Sequence, residues 1–270
     1  MGGANGHFEA PRQLQSWPGI VHGGCLVALL DDASARLGRA PGPRRVEGRL
    51  TSSVPTETAL ALSADRGDGG VGLTILQAGH TLTSGSVVEL PAAPAVTHGW
   101  TGGRDGSSLP MSDHCLACGA ENPLGLRTAL SFDDEGVWVR LTPPAPWRAA
   151  GNRFHPALAP VLLDEVSWWL GALSMKQGGL TNRLAVSLHD PAASFDGGLV
   201  AAGRFADVTP VDRKRTFWRT ETTLRTISGA LVASASVVFR GGADYSERQI
   251  PYFKPRTPPA VFRRMFPNYA

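Results

Sequence analysis

Two segments of the chain place a histidine nine residues before an aspartate, with mostly apolar residues between them. The first runs from His22-Gly23-Gly24 to Asp31-Asp32, and the second from His155-Pro156-Ala157 to Asp164-Glu165. A carboxylate can act as a nucleophile or as a base toward water. Unpaired backbone N–H groups at the start of a helix can bind a developing oxyanion. Both segments therefore carry residue types suited to hydrolysis at a carbonyl group.

The elements around these segments follow the same plan in both halves of the 270-residue chain. In the first half, apolar spacing predicts a helix over 24–37 and strands over 45–50, 59–64, 71–77 and 85–90. In the second half it predicts a hairpin of 126–132 with 137–141, a helix over 159–174, and strands over 184–188, 198–208, 217–226 and 230–240. One helix followed by antiparallel strands is an α+β pattern in which the helix is buried against the sheet.

The copies lie 133 residues apart, which predicts two similar domains rather than a short-period repeat array. We expect an N-terminal unit over 1–92, a linker over 93–112, a second unit over 113–243 and a Pro-rich tail over 244–270 that packs irregularly on the surface. The first half has too little chain before its helix to match the 126–141 hairpin. Its opening strand is therefore expected to be shortened or missing.

The bulk composition excludes several classes of protein. A formal net charge of +3 gives no argument for a nucleic-acid partner, and no apolar run approaches the ~20 residues of a membrane span. The N-terminus lacks the pattern of a secretory signal. Three cysteines are an odd number, which disfavours a disulfide framework and favours a reducing compartment. We expect a soluble, cytoplasmic protein.

The pair Cys115 and Cys118 has the spacing of half a zinc site. Tetrahedral zinc needs four ligands, and only His114 lies next to the pair, with no second Cys pair in the chain. The sequence therefore predicts a turn here and no metal.

Two motifs carry a resemblance to a known family. The stretch Trp17-Pro18-Gly19-Ile20-Val21-His22-Gly23-Gly24, followed by an apolar helix with Asp31, resembles the hotdog-fold acyl-CoA thioesterases of the phenylacetate-pathway type. The stretch His114-Cys115-Leu116-Ala117-Cys118-Gly119-Ala120-Glu121-Asn122-Pro123-Leu124-Gly125-Leu126 resembles the opening that many members carry. The resemblance spans roughly residues 8–90 and 113–241. It implies a double hotdog, with two antiparallel sheets each wrapping a long central helix. It also implies an acyl-CoA or other acyl thioester as substrate and no cofactor.

The resemblance also implies roles for particular residues. In the family, the amide of the first Gly of the motif polarises the thioester carbonyl, and a carboxylate comes from the helix of the partner unit. By position this pairs Gly23 with Asp164, and Pro156 with Asp31. Proline has no N–H to donate, so we expect one working site, from Gly23 and Asp164, and a structural or vestigial role for Asp31.

The remaining site residues are expected around this pair. Gly24 continues the helix start, and His22 is expected to be a structural hydrogen-bonding residue rather than a catalyst. Glu165 and Trp168 are assigned to the substrate site, with a core role left open for Trp168. The cluster Arg213, Lys214 and Arg215 is the best candidate for the phosphates of coenzyme A.

Two other functions stay open at this point. A non-catalytic acyl-CoA or fatty-acyl binding protein is the first, because Pro156-Ala157 shows one motif already altered. The second is an enoyl-thioester hydratase or dehydratase, which would pair a histidine with the carboxylate; His80, His98 and His189 are candidates. The acyl group, the carrier (coenzyme A or acyl carrier protein) and further pairing as a homodimer are also left open.

Overall fold

The computed structural model describes residues 3–39, 41–67, 70–91 and 99–270. Its elements in the first half are β1 (Gly3–Glu9), α1 (Gly23–Arg36), β2 (Arg44–Leu50), β3 (Ala59–Gly67), β4 (Gly70–Gln77), β5 (His80–Glu89) and β6 (Ser107–Ser108). The second half contains β7 (Ser131–Phe132), β8 (Gly136–Leu141), β9 (Arg148–Ala149), β10 (Arg153–Phe154), α2 (Leu158–Met175), β11 (Gly179–Leu188), β12 (Leu199–Arg204), β13 (Thr209–Pro210), β14 (Phe217–Thr226), β15 (Leu231–Gly241), α3 (Ala243–Phe253) and α4 (Pro259–Met265).

The two predicted sheets are one continuous antiparallel sheet. Its main path runs in the order β1-β3-β4-β5-β2-β11-β15-β14-β12-β8-β7-β6, and β13 pairs with β14 as the thirteenth strand. The halves join where β2 pairs with β11, with Val46 opposite Val186. The sequence predicts two separate sheets. The structure has one, because β2 and β11, the strands at the edges of the two halves, pair with each other and so satisfy backbone groups that an exposed edge strand would leave unpaired.

The helices α1 and α2 lie side by side against this sheet. Helix α1 packs on β2 and β5, and α2 packs on β8, β11, β12, β14 and β15. Gly24 lets the helices approach closely, because a Cβ there would lie 2.3 Å from the carbonyl oxygen of Pro160. Every residue from Leu158 to Ser167 is buried. No helix in the described part of the chain combines the length and apolar character needed to cross a bilayer.

Three local expectations were wrong. The tail is not irregular, since α3 and α4 bury Phe253, Met265 and Phe266 in the core. The opening strand of the first half is present as β1, seven residues long and paired with β3. The predicted hairpin is formed by β7 and β8, but its first strand has only two residues, Ser131–Phe132, instead of the expected 126–132.

The linker is only partly described, since residues 92–98 lie outside the described ranges. Beyond them the chain follows the outer surface of the second half. Trp100 meets Trp138 of β8 edge-on at 5.7 Å, and Ser107 pairs with Phe132.

Candidate functional site

A cavity of about 260 Å³ opens between the start of α1 and the first half of α2. The strand β11 and helix α3 form further walls, so the tail of the chain contributes to this cavity. The lining residues used below are His22, Gly23, Cys115, Cys118, Asp164, Glu165, Trp168, Thr181, Arg240, Tyr245, Arg248 and Phe253.

Asp164 lies at the centre of the cavity wall and is 4% exposed. Its Oδ2 accepts a hydrogen bond from the Gly24 N–H at 2.8 Å, and its Oδ1 accepts one from the Thr181 hydroxyl at 2.7 Å. Burial raises the pKa of Asp164, although the charge of His22 and the bonds from Thr181 and Gly24 oppose that shift. The carboxylate of α2 is therefore held at the N-terminus of α1, where the positive end of the helix dipole lies.

Gly23 supplies the amide next to this carboxylate. Within the described residues the Gly23 N–H has no hydrogen-bond acceptor. The N–H groups of the first turn that do donate are those of Gly24, to His22 Nδ1 and Asp164 Oδ2, and of Cys25, to His22 O. A Cβ on Gly23 would lie 2.8 Å from Asp164 Oδ2. The structure thus brings the predicted pair Gly23 and Asp164 to one cavity, with an amide free to bind an oxygen.

His22 caps α1 and also joins a buried polar cluster. Its Nδ1 lies 3.1 Å from the Gly24 nitrogen and 3.4 Å from Asp164 Oδ2, while its Nε2 lies 3.4 Å from Glu165 Oε2. Cys115 Sγ lies 3.9 Å from the same Glu165 oxygen. His22 therefore forms a hydrogen bond at the start of α1, and a carboxylate lies on each side of the ring.

The members of this cluster shift each other's pKa. Burial alone would lower the pKa of His22, but hydrogen bonds to Cys115 and Glu165 and the charges of Cys115 and Asp164 outweigh it and raise it. A hydrogen bond from Cys118, together with His22, lowers the pKa of Cys115 to about 6 against the opposing effect of burial. Burial would raise the pKa of Glu165, yet hydrogen bonds and charge from His22, with bonds from Cys118 and Trp169, lower it.

The Cys-x-x-Cys turn reaches this cluster because its motif docks on the segment before α1. The Leu116 N–H donates to Gln15 O at 2.8 Å, and the Asn122 side chain donates to Gln13 O at 2.8 Å. Sequence reasoning had no signal for this contact, because the two segments lie about a hundred residues apart.

Asp31 of α1, the counterpart of Asp164 in the first half, has different hydrogen-bond partners. Asp31 accepts two hydrogen bonds from Arg44, both 2.6 Å, and one from Arg39 at 3.1 Å. A second cavity lies beside it, lined also by Pro156 and Ala157 at the start of α2. The carboxylate of Asp31 is thus neutralised by two guanidinium groups, and the residue that faces it at the helix start is a proline.

The remaining predicted residues lie in different places. Trp168 is half-buried, lines the cavity and stacks against Phe253 at 5.8 Å. Arg213, Lys214 and Arg215 lie in an exposed turn outside the cavity lining. Arg240 at the end of β15 and Arg248 on α3 line the cavity instead. Arg248 belongs to the tail, which the sequence predicts to be irregular.

Two of the histidines considered for hydratase chemistry, His80 and His189, do not line the cavity of Asp164. His80 is exposed at the start of β5, and His98 lies outside the described residues. His189 lines the second cavity, where its Nε2 lies 2.9 Å from the Ser234 hydroxyl and burial lowers its pKa.

No protein-family model and no curated protein sequence matches the chain. Solved structures do match it. A protein of Thermobifida fusca YX described provisionally as thioesterase II is 14% identical, with a TM-score of 0.65 over 88% of this chain and 94% of that one. A protein of unknown function with a hotdog fold, from Alicyclobacillus acidocaldarius, is 17% identical, with a TM-score of 0.61 over 88% and 93%. This chain has the hotdog fold. The dehydratase domain of PpsC from Mycobacterium tuberculosis, in complex with C12:1-CoA, is also similar, at 14% identity and a TM-score of 0.61 over 89% and 94%.

Proposed function

We propose that the protein hydrolyses an acyl-CoA, or another acyl thioester, to the free acid and a thiol. The observation that carries this proposal is the free amide of Gly23 beside the buried carboxylate of Asp164 in one cavity. A thioester needs both an oxyanion donor and a carboxylate for hydrolysis. The name of one structural neighbour and the CoA ligand of another agree with this class of substrate.

In this proposal the thioester carbonyl oxygen accepts a hydrogen bond from the Gly23 N–H. Asp164 takes a proton from a water molecule, whose oxygen attacks the carbonyl carbon. The tetrahedral intermediate collapses with cleavage of the C–S bond, and Asp164 returns the proton to the leaving sulfur. Thr181 holds the other carboxylate oxygen during these steps.

The units 1–92 and 113–243 form a tandem double hotdog in this proposal. Gly23 comes from one unit and Asp164 from the other, so one chain supplies both halves of the working site. The second cavity is inactive, because Asp31 is ion-paired and Pro156 lacks an N–H.

The test is release of free thiol from a panel of short, medium, long and aromatic acyl-CoAs. Asp164→Asn should lower kcat by at least about 100-fold, the lower end of what general base catalysis contributes. Asp32→Asn is the matched control, because Asp32 lies at an exposed position of α1 paired with Arg36. Turnover of Asp164→Asn within threefold of the parent would contradict the proposed role of Asp164.

The phosphates of coenzyme A are assigned to Arg240 and Arg248 instead of the Arg213–Arg215 turn. Arg248→Gln should raise KM for an acyl-CoA and leave the N-acetylcysteamine thioester of the same acid unaffected, since that thioester carries no phosphate. Arg213→Gln is the control for a general loss of positive charge. An equal effect of Arg248→Gln on both substrates would remove Arg248 from phosphate binding.

A second function has one specific observation in its favour. His22 Nδ1 lies 3.4 Å from Asp164 Oδ2, and a histidine with a carboxylate suits hydration of an enoyl thioester. Hydration of crotonyl-CoA without thiol release would select this function over hydrolysis. Tight binding of acyl-CoA with neither reaction would select a binding protein.

A further inference from the structure

Three side chains that can ligate a metal meet in the wall of the cavity. His22, Cys115 and Glu165 place one ligand atom each within 4.8 Å of one another, and all three residues are buried. Cys118, also buried and three residues further along the same turn, lines the same cavity.

The distances fit the edges of a zinc tetrahedron. With Zn–N of about 2.05 Å, Zn–O of about 2.0 Å and Zn–S of about 2.3 Å, tetrahedral edges are about 3.3 Å for N–O and about 3.5 Å for S–O. The structure has 3.4 Å between His22 Nε2 and Glu165 Oε2, and 3.9 Å between Cys115 Sγ and the same oxygen. These two pairs of donor atoms therefore lie within about 0.1 Å and about 0.4 Å of the tetrahedral edges.

The other ring nitrogen of His22 supports the same assignment. Histidines that bind a metal commonly donate their second N–H to a carboxylate, which fixes the ring. His22 Nδ1 lies 3.4 Å from Asp164 Oδ2, so in the metal-bound tautomer it donates to Asp164 and no longer accepts from the Gly24 N–H, which keeps its 2.8 Å bond to the same oxygen. The ring is thus already oriented with Nε2 toward the sulfur and carboxylate ligands.

We propose that His22, Cys115, Cys118 and Glu165 bind one zinc ion. The ion joins the start of α1, the Cys-x-x-Cys turn and α2 beside the cavity, and it displaces the thiol protons on binding. The turn alone offers only two ligands, so the site exists only in the folded chain. This inference is independent of the proposed hydrolysis, since it concerns the structure that holds the site.

The test uses the full chain stripped of metal with a chelator and titrated with Zn²⁺ against a chromogenic competitor. We expect one zinc per chain, confirmed by elemental analysis. Cys115→Ser, Cys118→Ser and Glu165→Gln should each weaken binding by at least the ~100-fold seen for outer-shell changes at metal sites. Cys25→Ser and His114→Ala are the controls, because one removes the third thiol and the other the exposed histidine next to the pair.

A second measurement decides the question if the ligand variants do not fold. Co²⁺ added to the parent protein should give the intense visible bands and sulfur charge-transfer absorption of a tetrahedral thiolate site, and Zn²⁺ should protect Cys115 and Cys118 from alkylation. Binding below stoichiometry, no thiolate absorption, or equal losses in the controls would overturn the proposal.

Discussion

The ion pair at Asp31 gives the sharpest test of how the two halves differ. Asp31→Asn removes the charge that both Arg44 and Arg39 contact, and the side chains of Asp31 and Arg44 are only 10% and 5% exposed. Arg44 would keep its bond to Gly42 O but lose both bonds to a carboxylate. Removing one partner of a buried pair costs about 3–5 kcal/mol, because the other charge stays buried. We expect a loss of that size in the free energy of unfolding.

The assay is urea denaturation of the parent, Asp31→Asn and the double variant Asp31→Asn/Arg44→Gln. The double variant should recover part of the lost free energy of unfolding, because it also removes the Arg44 guanidinium that Asp31→Asn leaves buried without a carboxylate partner. Asp32→Asn, on the exposed face of the same helix, should leave the midpoint unchanged. A loss below about 1 kcal/mol in Asp31→Asn, or a loss of turnover in that variant at unchanged stability, would refute a structural role for Asp31.

Three further outcomes follow from packing and burial. Gly24→Ala should destabilise the protein by roughly 1–3 kcal/mol or more in thermal or urea unfolding, because the new Cβ would lie 2.3 Å from the carbonyl oxygen of Pro160. Gly42→Ala is the control and should leave stability unchanged, because a Cβ there has no atom within 4 Å. Phe266→Ala should cost about 3–5 kcal/mol in the same assay, since the side chain is fully buried, and a cost under 1 kcal/mol would show that the tail is dispensable. Burial raises the pKa of Cys25 to about 12, so its thiolate fraction at pH 8 should be about a thousandfold below that of an ordinary thiol. Alkylation followed by mass spectrometry should show that Cys25 is protected in the folded chain and is alkylated in urea.

The local elements were predictable where the apolar pattern is strong. Helix α2 was expected over 159–174 and runs over Leu158–Met175, and the strand Phe217–Thr226 has the expected bounds. The sequence does not predict helix α3, because Pro251 and several charged residues interrupt the apolar spacing of a helix. Its buried residues can be recognised only once the helix is seen to pack beside the cavity. A proline near the end of a helix is tolerated where the preceding turn is held by other contacts.

The cluster at the cavity could not be predicted from local pattern. Cys115 and Glu165 are 50 positions apart, and His22 and Glu165 are 143 apart. Their meeting depends on the joining of β2 to β11 and on the docking of the Cys-x-x-Cys turn beside α1. Spacing within one segment carries no information about either contact. The sequence argument against a metal considered only neighbours of Cys115 and Cys118, and the structure supplies the missing ligand types from two distant segments.

The two equivalent aspartates show how one helical position can acquire opposite roles. Asp164 accepts hydrogen bonds from an amide and a hydroxyl, which hold the carboxylate in place, and it forms no ion pair with an arginine among the described residues. Asp31 accepts from two guanidinium groups, which cancel its charge. Once Pro156 occupies the position equivalent to Gly23, a reactive carboxylate at Asp31 has no oxyanion donor to work with. Pairing it with Arg44 then stabilises the fold at no catalytic cost, and in the proposed mechanism hydrolysis takes place at the cavity that keeps both the Gly23 amide and the Asp164 carboxylate.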